Sequence, residues 1–67
     1  MEITVNNQEI TVDSHLILSD YLASKELNEK RGIAVAVNER VIARNDWQSH
    51  ELTENDRVLI IHATQGG

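Results

Sequence analysis

The hydrophobic period changes twice along these 67 residues, and that change most constrains the fold. Apolar and polar residues alternate through Ile3 and Val5, then again through Ile10 and Val12, with Asn6-Asn7 between them. A period of two marks a strand with one face toward a core, and paired asparagines tolerate the positive φ of a two-residue hairpin turn. Residues 1–12 therefore read as a β-hairpin. Over residues 13–27 the spacing becomes helical, with Leu18, Tyr21, Leu22 and the stem of Lys25 along one face. Ser14 or Ser19 is the expected N-cap, and the polar run that closes at Gly32 is the expected stop. Alternation then returns. Residues 33–37 carry β-branched side chains at every second position, Asn38-Glu39 makes a second tight turn, and residues 40–43 run back. Residues 45–48 read as a short capped turn that drops Trp47 into the core, and Asn55 suits a left-handed position in the loop at 52–56. Residues 58–61 form a continuous apolar strand.

One helix must therefore cover one face of a sheet built from two hairpins and a final strand. The economical packing sets that strand in the middle, beside the first. This is an α+β layer architecture, the ubiquitin-like β-grasp, with a mixed sheet and a central C-terminal strand. The expected division is a folded domain at 1–62 and a flexible tail at 63–67. The same parity assigns the sheet's second face. With Ile3, Val5, Ile33, Val35, Val37, Val58 and Ile60 toward the helix, Ala34, Ala36, Leu59 and Ile61 turn outward. A smooth apolar surface just before the tail is the pattern of a partner-docking site.

Composition removes several function classes. Eleven acidic residues against six basic ones give a formal charge of −5, which opposes nucleic-acid binding and favours partners with a basic docking face. There is no cysteine, so disulfide staples, thiolate zinc sites and a thiol nucleophile are all excluded. No apolar run has the length of a membrane span, and the expectation is a soluble, cytoplasmic protein, monomeric when free.

No catalytic constellation emerges. His15, His50 and His62 show no i, i+4 pairing on the helix, so no metal site is expected. Ser14-His15 and Ser49-His50 are adjacent in sequence, which is not the geometry of a nucleophile and its base. Gly32 stands alone and makes no phosphate loop. What is left is Gly66-Gly67. Glycine lacks Cβ, so such an end can enter a narrow channel and offer its α-carboxylate for chemistry. A carboxylate is a poor electrophile. Joined to AMP at the expense of ATP in a partner enzyme, it becomes a mixed anhydride that a sulfur nucleophile can displace.

Val35-Ala36-Val37-Asn38-Glu39-Arg40-Val41-Ile42-Ala43-Arg44-Asn45-Asp46-Trp47 resembles the signature of the ThiS family of sulfur carriers in thiamine biosynthesis. Leu52, the run Glu54-Asn55-Asp56-Arg57-Val58 and the terminal Gly66-Gly67 extend the resemblance, and the first hairpin agrees in pattern. Ile17 stands where threonine often caps the helix in that family, Ala43 where proline is common, and Gln65 where a small residue is usual. The resemblance implies a carrier protein and not an enzyme. A ThiF-like E1 enzyme would adenylylate Gly67, a sulfur-transfer protein would lead to the thiocarboxylate, and a ThiG-like thiazole synthase would take the sulfur. Gly66 is then the slim neighbour recognised with the tail, and Leu59, Ile61, Ala34 and Ala36 are the expected docking surface. No cofactor is bound on this reading; ATP belongs to the partner. Three alternatives stand beside it: a MoaD-like carrier for molybdopterin synthesis, a ubiquitin-like protein modifier, and a binding module whose glycines are incidental.

Overall fold

Both hairpins close through turns of one backbone type. Asn6 and Asn7 have φ of 52° and 69°, and Asn38 and Glu39 repeat those values. Two consecutive left-handed residues match the natural twist of the strands they join, which is why such turns make tight hairpins. Asparagine tolerates that region, and Glu39 is held there by the strands on either side. The computed structural model describes residues 1–62, and the expected tail at 63–67 lies outside the described residues.

The first turn joins β1 (Glu2–Val5) to β2 (Gln8–Thr11), with Ile3 opposite Ile10. The second joins β3 (Ile33–Val37) to β4 (Arg40–Ile42), with Val35 opposite Ile42. Between the hairpins lies β5 (Arg57–His62), parallel to β1 and antiparallel to β3, in the order β2-β1-β5-β3-β4. The expected central strand is therefore found, and the mixed sheet with one helix is the β-grasp.

The helix is shorter than its apolar spacing suggests. α1 spans Leu18–Ser24, seven residues instead of fifteen. Neither Ser14 nor Ser19 caps it. The N-cap is Ile17, extended and with no side-chain cap bond. The reason is a competing pairing. Ile17 forms an isolated antiparallel bridge with Glu51, in which Leu18 donates to the His50 carbonyl and Leu52 donates to that of Leu16, both at 2.8 Å. His15 upstream is left-handed. Residues 13–17 thus serve the loop after β4, and helix begins only where that bridge ends.

Gly32 is not the helix stop either. The stop is a two-bond cap in which Leu27 N–H donates to the Leu22 carbonyl at 2.8 Å and Glu26 N–H to that of Ala23 at 3.0 Å. This Schellman pairing needs a left-handed residue between, and Glu26 supplies it at φ 60°. Gly32, also with positive φ, turns the chain into β3.

Leu18, Tyr21 and Leu22 from α1 pack with Ile3, Val35, Val37, Val58 and Ile60 from the sheet. Trp47 joins them from a six-residue 3-10 helix, Arg44–Ser49, and donates its indole N–H to the Ile42 carbonyl at 3.0 Å. The expected placement of Trp47 holds, although no side chain caps that short helix. Arg44 lies over the indole at 4.5 Å and donates to the carbonyls of Asn28 and Lys30, so the 25–32 segment is tied to the 3-10 helix.

Candidate functional site

Strand parity opens one face of the sheet to water. Along β5, Val58 and Ile60 are buried toward the helix, while Leu59 and Ile61 are 46% and 47% exposed on the other side. Register fixes their neighbours: Ile61 lies opposite Ala34, and Leu59 opposite Ala36. These four residues therefore share the open face that alternation assigned to them. Trp47 is in the core on the helix side and covers none of it.

Ala36 differs from the other three. It is only 8% exposed, because larger chains flank its methyl group on both sides, Leu59 on β5 and Val41 on β4. It forms floor, not surface. Val41 is the residue that sequence reasoning missed. At 71% exposure it stands further into water than Leu59 or Ile61. The signal was present, since Val35 faces the core, Ile42 opposite it must do likewise, and Val41 must then point out. Leu59, Ala36 and Val41 thus make an apolar row across three strands, with Ile61 and Ala34 beside it. At the turn end of this row is a shallow pocket of about 150 Å3, between Leu59 and Ala36 on one side and Thr4, Asn7, Glu39 and Arg57 on the other.

The strand beneath is held at its start and midway along by the two hairpin turns. Asn38 accepts the Arg57 N–H through Oδ1 at 2.9 Å and donates through Nδ2 to Asp56 at 2.9 Å. Asp56, 6% exposed, also accepts the N–H of Thr53 at 2.8 Å and its hydroxyl at 2.9 Å. A buried carboxylate with three donors and no cation is a structural clamp. Further along, Asn6 reaches the Ile60 N–H. Arg57 and Glu39 pair at 3.2 Å on the exposed edge of the pocket, where screening leaves such a pair little weight.

The remaining polar groups do not assemble. His15 Nδ1 meets Glu51 Oε2 at 2.5 Å on an exposed surface, His50 lies by the 3-10 helix and His62 closes β5. Among the described residues no three His, Asp or Glu side chains are placed to hold a metal ion. No helix among them is long and apolar enough to cross a membrane. Burial pushes the Tyr21 phenol above its ordinary value of 10.0. It is a core residue. Gly66 and Gly67, the expected reactive end, lie outside the described residues.

Three comparisons bear on this arrangement. The profile of the ThiS family matches residues 1–67. The sulfur carrier protein ThiS of Escherichia coli (strain K12) is 25% identical over 68 residues, covering 100% of both chains. The crystal structure of the thiamine biosynthesis protein ThiS from Geobacter metallireducens superimposes with a TM-score of 0.84 at 25% identity, covering 100% of each chain. Its solution structure gives 0.78 at the same identity, over 100% of this chain and 88% of that one. A five-stranded β-grasp, the Val35-to-Trp47 pattern seated on β3, β4 and the 3-10 helix, and a profile match over residues 1–67 lead to one assignment: this chain belongs to the ThiS family.

Proposed function

We propose that this protein carries sulfur as a thiocarboxylate on Gly67 and delivers it for thiazole formation in thiamine biosynthesis. As a ThiS-family sulfur carrier it is a cosubstrate of other proteins and not itself an enzyme. The observation that carries the finer reading is the extent of the family match, which includes Gly66 and Gly67 and spans the full length of the Escherichia coli carrier.

The chemistry runs on the partners. The Gly67 carboxylate attacks the α-phosphorus of ATP within a ThiF-like enzyme, forming an acyl adenylate and releasing pyrophosphate. A sulfur nucleophile supplied by a sulfur-transfer protein then attacks the acyl carbon and expels AMP. The carboxylate oxygen bonded to phosphorus leaves with AMP, and sulfur takes its place. A ThiG-like synthase is the recipient. Gly66 supplies the slimness that a closed active site requires.

This chain contributes a body that can be recognised. Leu59 and Ile61 on β5, with Ala34 and Val41 around the Ala36 floor, form the surface we assign to partner docking. The test is intact-protein mass after incubation with ATP, a ThiF-like enzyme and a sulfide source. Replacement of one oxygen by sulfur is expected, and deletion of Gly67 is expected to abolish it. An unchanged mass for the full chain, or lysine-linked conjugates in its place, overturns the reading.

A further inference from the structure

β2 is the outermost strand of the sheet, and beside it runs a groove of about 420 Å3 between β2 and α1. Met1 and Val12 exchange both backbone hydrogen bonds, at 2.7 and 2.8 Å. Alternation along the register then makes Ile10 with Ile3 the next hydrogen-bonded pair and leaves Thr11 and Glu9 in the pairs between. The backbone N–H and C=O of Glu9 and Thr11 therefore point away from β1, where the sheet ends. No proline, lysine or bulge blunts Gln8–Thr11, the usual protection of a free edge. The groove beside it is floored by Ile10, Val12 and Leu16, all half-buried. Tyr21 walls its helix side. The Tyr21 ring belongs to the core, yet its hydroxyl has no hydrogen-bond partner among the described residues and is not sealed from outside. Around this site stand the exposed carboxylates of Glu9, Asp13 and Asp20. Lys25 alone opposes them, with its Nζ 5.9 Å from the centre of the Tyr21 ring.

We propose that the β2 edge and this groove bind an extended peptide segment of another protein, apolar and basic at alternate positions, as a sixth strand antiparallel to β2. The site lies at the edge and on the helix side of the sheet, apart from the Leu59 face, and does not depend on chemistry at Gly67. Only an extended chain offers N–H and C=O groups at the spacing of Glu9 and Thr11. Antiparallel pairing closes four hydrogen bonds there, two at each residue. The residue opposite Ile10 turns toward the groove, where an apolar side chain removes Ile10, Val12 and Leu16 from water and a neighbouring acceptor can take the Tyr21 hydroxyl. Residues opposite Glu9 and Thr11 turn to the other face, beside the Glu9 carboxylate, and Asp13 and Asp20 extend the same preference for cations. Three carboxylates against one ammonium disfavour an acidic segment, and the β2 strand of a second copy would bring more carboxylates.

The experiment follows amide shifts and hydrogen exchange of the full chain as a capped hexapeptide of alternating valine and lysine is added. The same peptide with glutamate for lysine is the comparison. Shifts should saturate at about 1 mM or below. Exchange at Glu9 and Thr11 should slow about tenfold at about 90% occupancy, while Val41 and Ala43 on the opposite edge stay unmoved. The glutamate peptide should bind about tenfold more weakly or worse. Thr11→Pro removes an outward donor without touching the β1 ladder and should weaken binding about fivefold. Should proline unfold the chain, Tyr21→Phe keeps the ring and should weaken binding about twofold. Absence of saturable shifts up to about 5 mM overturns the proposal. So do equal responses to the two peptides, or equal shifts at the β4 edge. Shifts at Glu9 and Thr11 on raising the protein concentration alone would make a second copy the occupant, and would overturn it as well.

Discussion

The side-chain oxygen of Asn6 accepts the Ile60 N–H at 2.8 Å, in the place that the Asn6 carbonyl would hold if β1 ran on. Asn6 N–H donates to the Val58 carbonyl at 2.9 Å, so one residue continues the parallel ladder with its backbone donor and its side-chain acceptor while the chain turns away. Asn6→Gly keeps the positive φ and removes the acceptor. It should lower stability by about 1 kcal/mol and raise amide exchange at Ile60 specifically. Asn6→Asp, which retains an oxygen there, should restore most of the protection. Chemical denaturation and residue-resolved hydrogen exchange check both.

At the start of β5 the weight falls on Asp56. Asp56→Ala leaves the Thr53 amide, the Thr53 hydroxyl and the Asn38 amide without their acceptor. A loss of roughly 2–4 kcal/mol is expected, a large share of what so small a domain has. Asp56→Asn keeps one acceptor oxygen and should lose less. The urea midpoint measures both.

Glu26 occupies a left-handed position that favours glycine. Glu26→Gly should stabilise the protein by about 0.5–1 kcal/mol, since relief of the side chain's steric conflict outweighs glycine's extra unfolded-state freedom. For a domain this size that is a rise of several degrees in thermal midpoint, on the scale of about 4–8 °C per kcal/mol. A calorimetric midpoint at or below the parent's would show that Glu26 is not strained there.

Tyr21 gives the fold an alkaline limit. Burial favours the neutral phenol, so its folded pKa lies above the unfolded value near 10.0. Below that value both states keep the proton and stability is unaffected. As pH rises past it, the unfolded chain ionises first and stability falls until the folded pKa is passed. Tyr21→Phe should remove this part of the decline, so the parent and variant stability curves should diverge in slope only above about pH 10. Parallel curves would sink the assignment.

Leu59→Glu tests the apolar row directly. The side chain is half exposed and opposite Ala36, so the variant should remain folded, with stability within about 1 kcal/mol of the parent. Its adenylylation by a ThiF-like enzyme should drop about tenfold or more through a raised KM, because a charge placed in the dry centre of a contact has no partner there. Parental kinetics in a folded Leu59→Glu protein would remove the docking assignment.

Strand parity and turn chemistry were legible because each is written in neighbouring residues. Asn6-Asn7 and Asn38-Glu39 declare their turns, and the Val35, Val37, Val58 and Ile60 pattern declares which way β3 and β5 face. The helix ends were not legible, because distant partners decide them. Ile17 lies within an apolar helical pattern, yet Glu51 claims its backbone from 34 positions away. Glu26 has no local preference for its left-handed state and takes it because Leu27 and Leu22 close the cap around it. On the open face, the outward turn of Leu59 and Ile61 followed from alternation, whereas the near-burial of Ala36 depended on Val41, a neighbour known only once register is fixed. Opposite partners are tertiary facts.

The central placement of β5 has a consequence for synthesis. While the nascent chain lacks its C-terminal strand, the two hairpins share no ladder, and a gap separates β1 from β3. Val58 and Ile60, which fill the middle of the core, arrive with that strand. The body that a partner would recognise can therefore consolidate only after the ribosome has delivered residues 57–62, and a product terminated before them lacks the surface on which Leu59 and Ile61 stand. Architecture of this kind acts as its own proofreading: nothing can be grasped before β5 has joined the two hairpins.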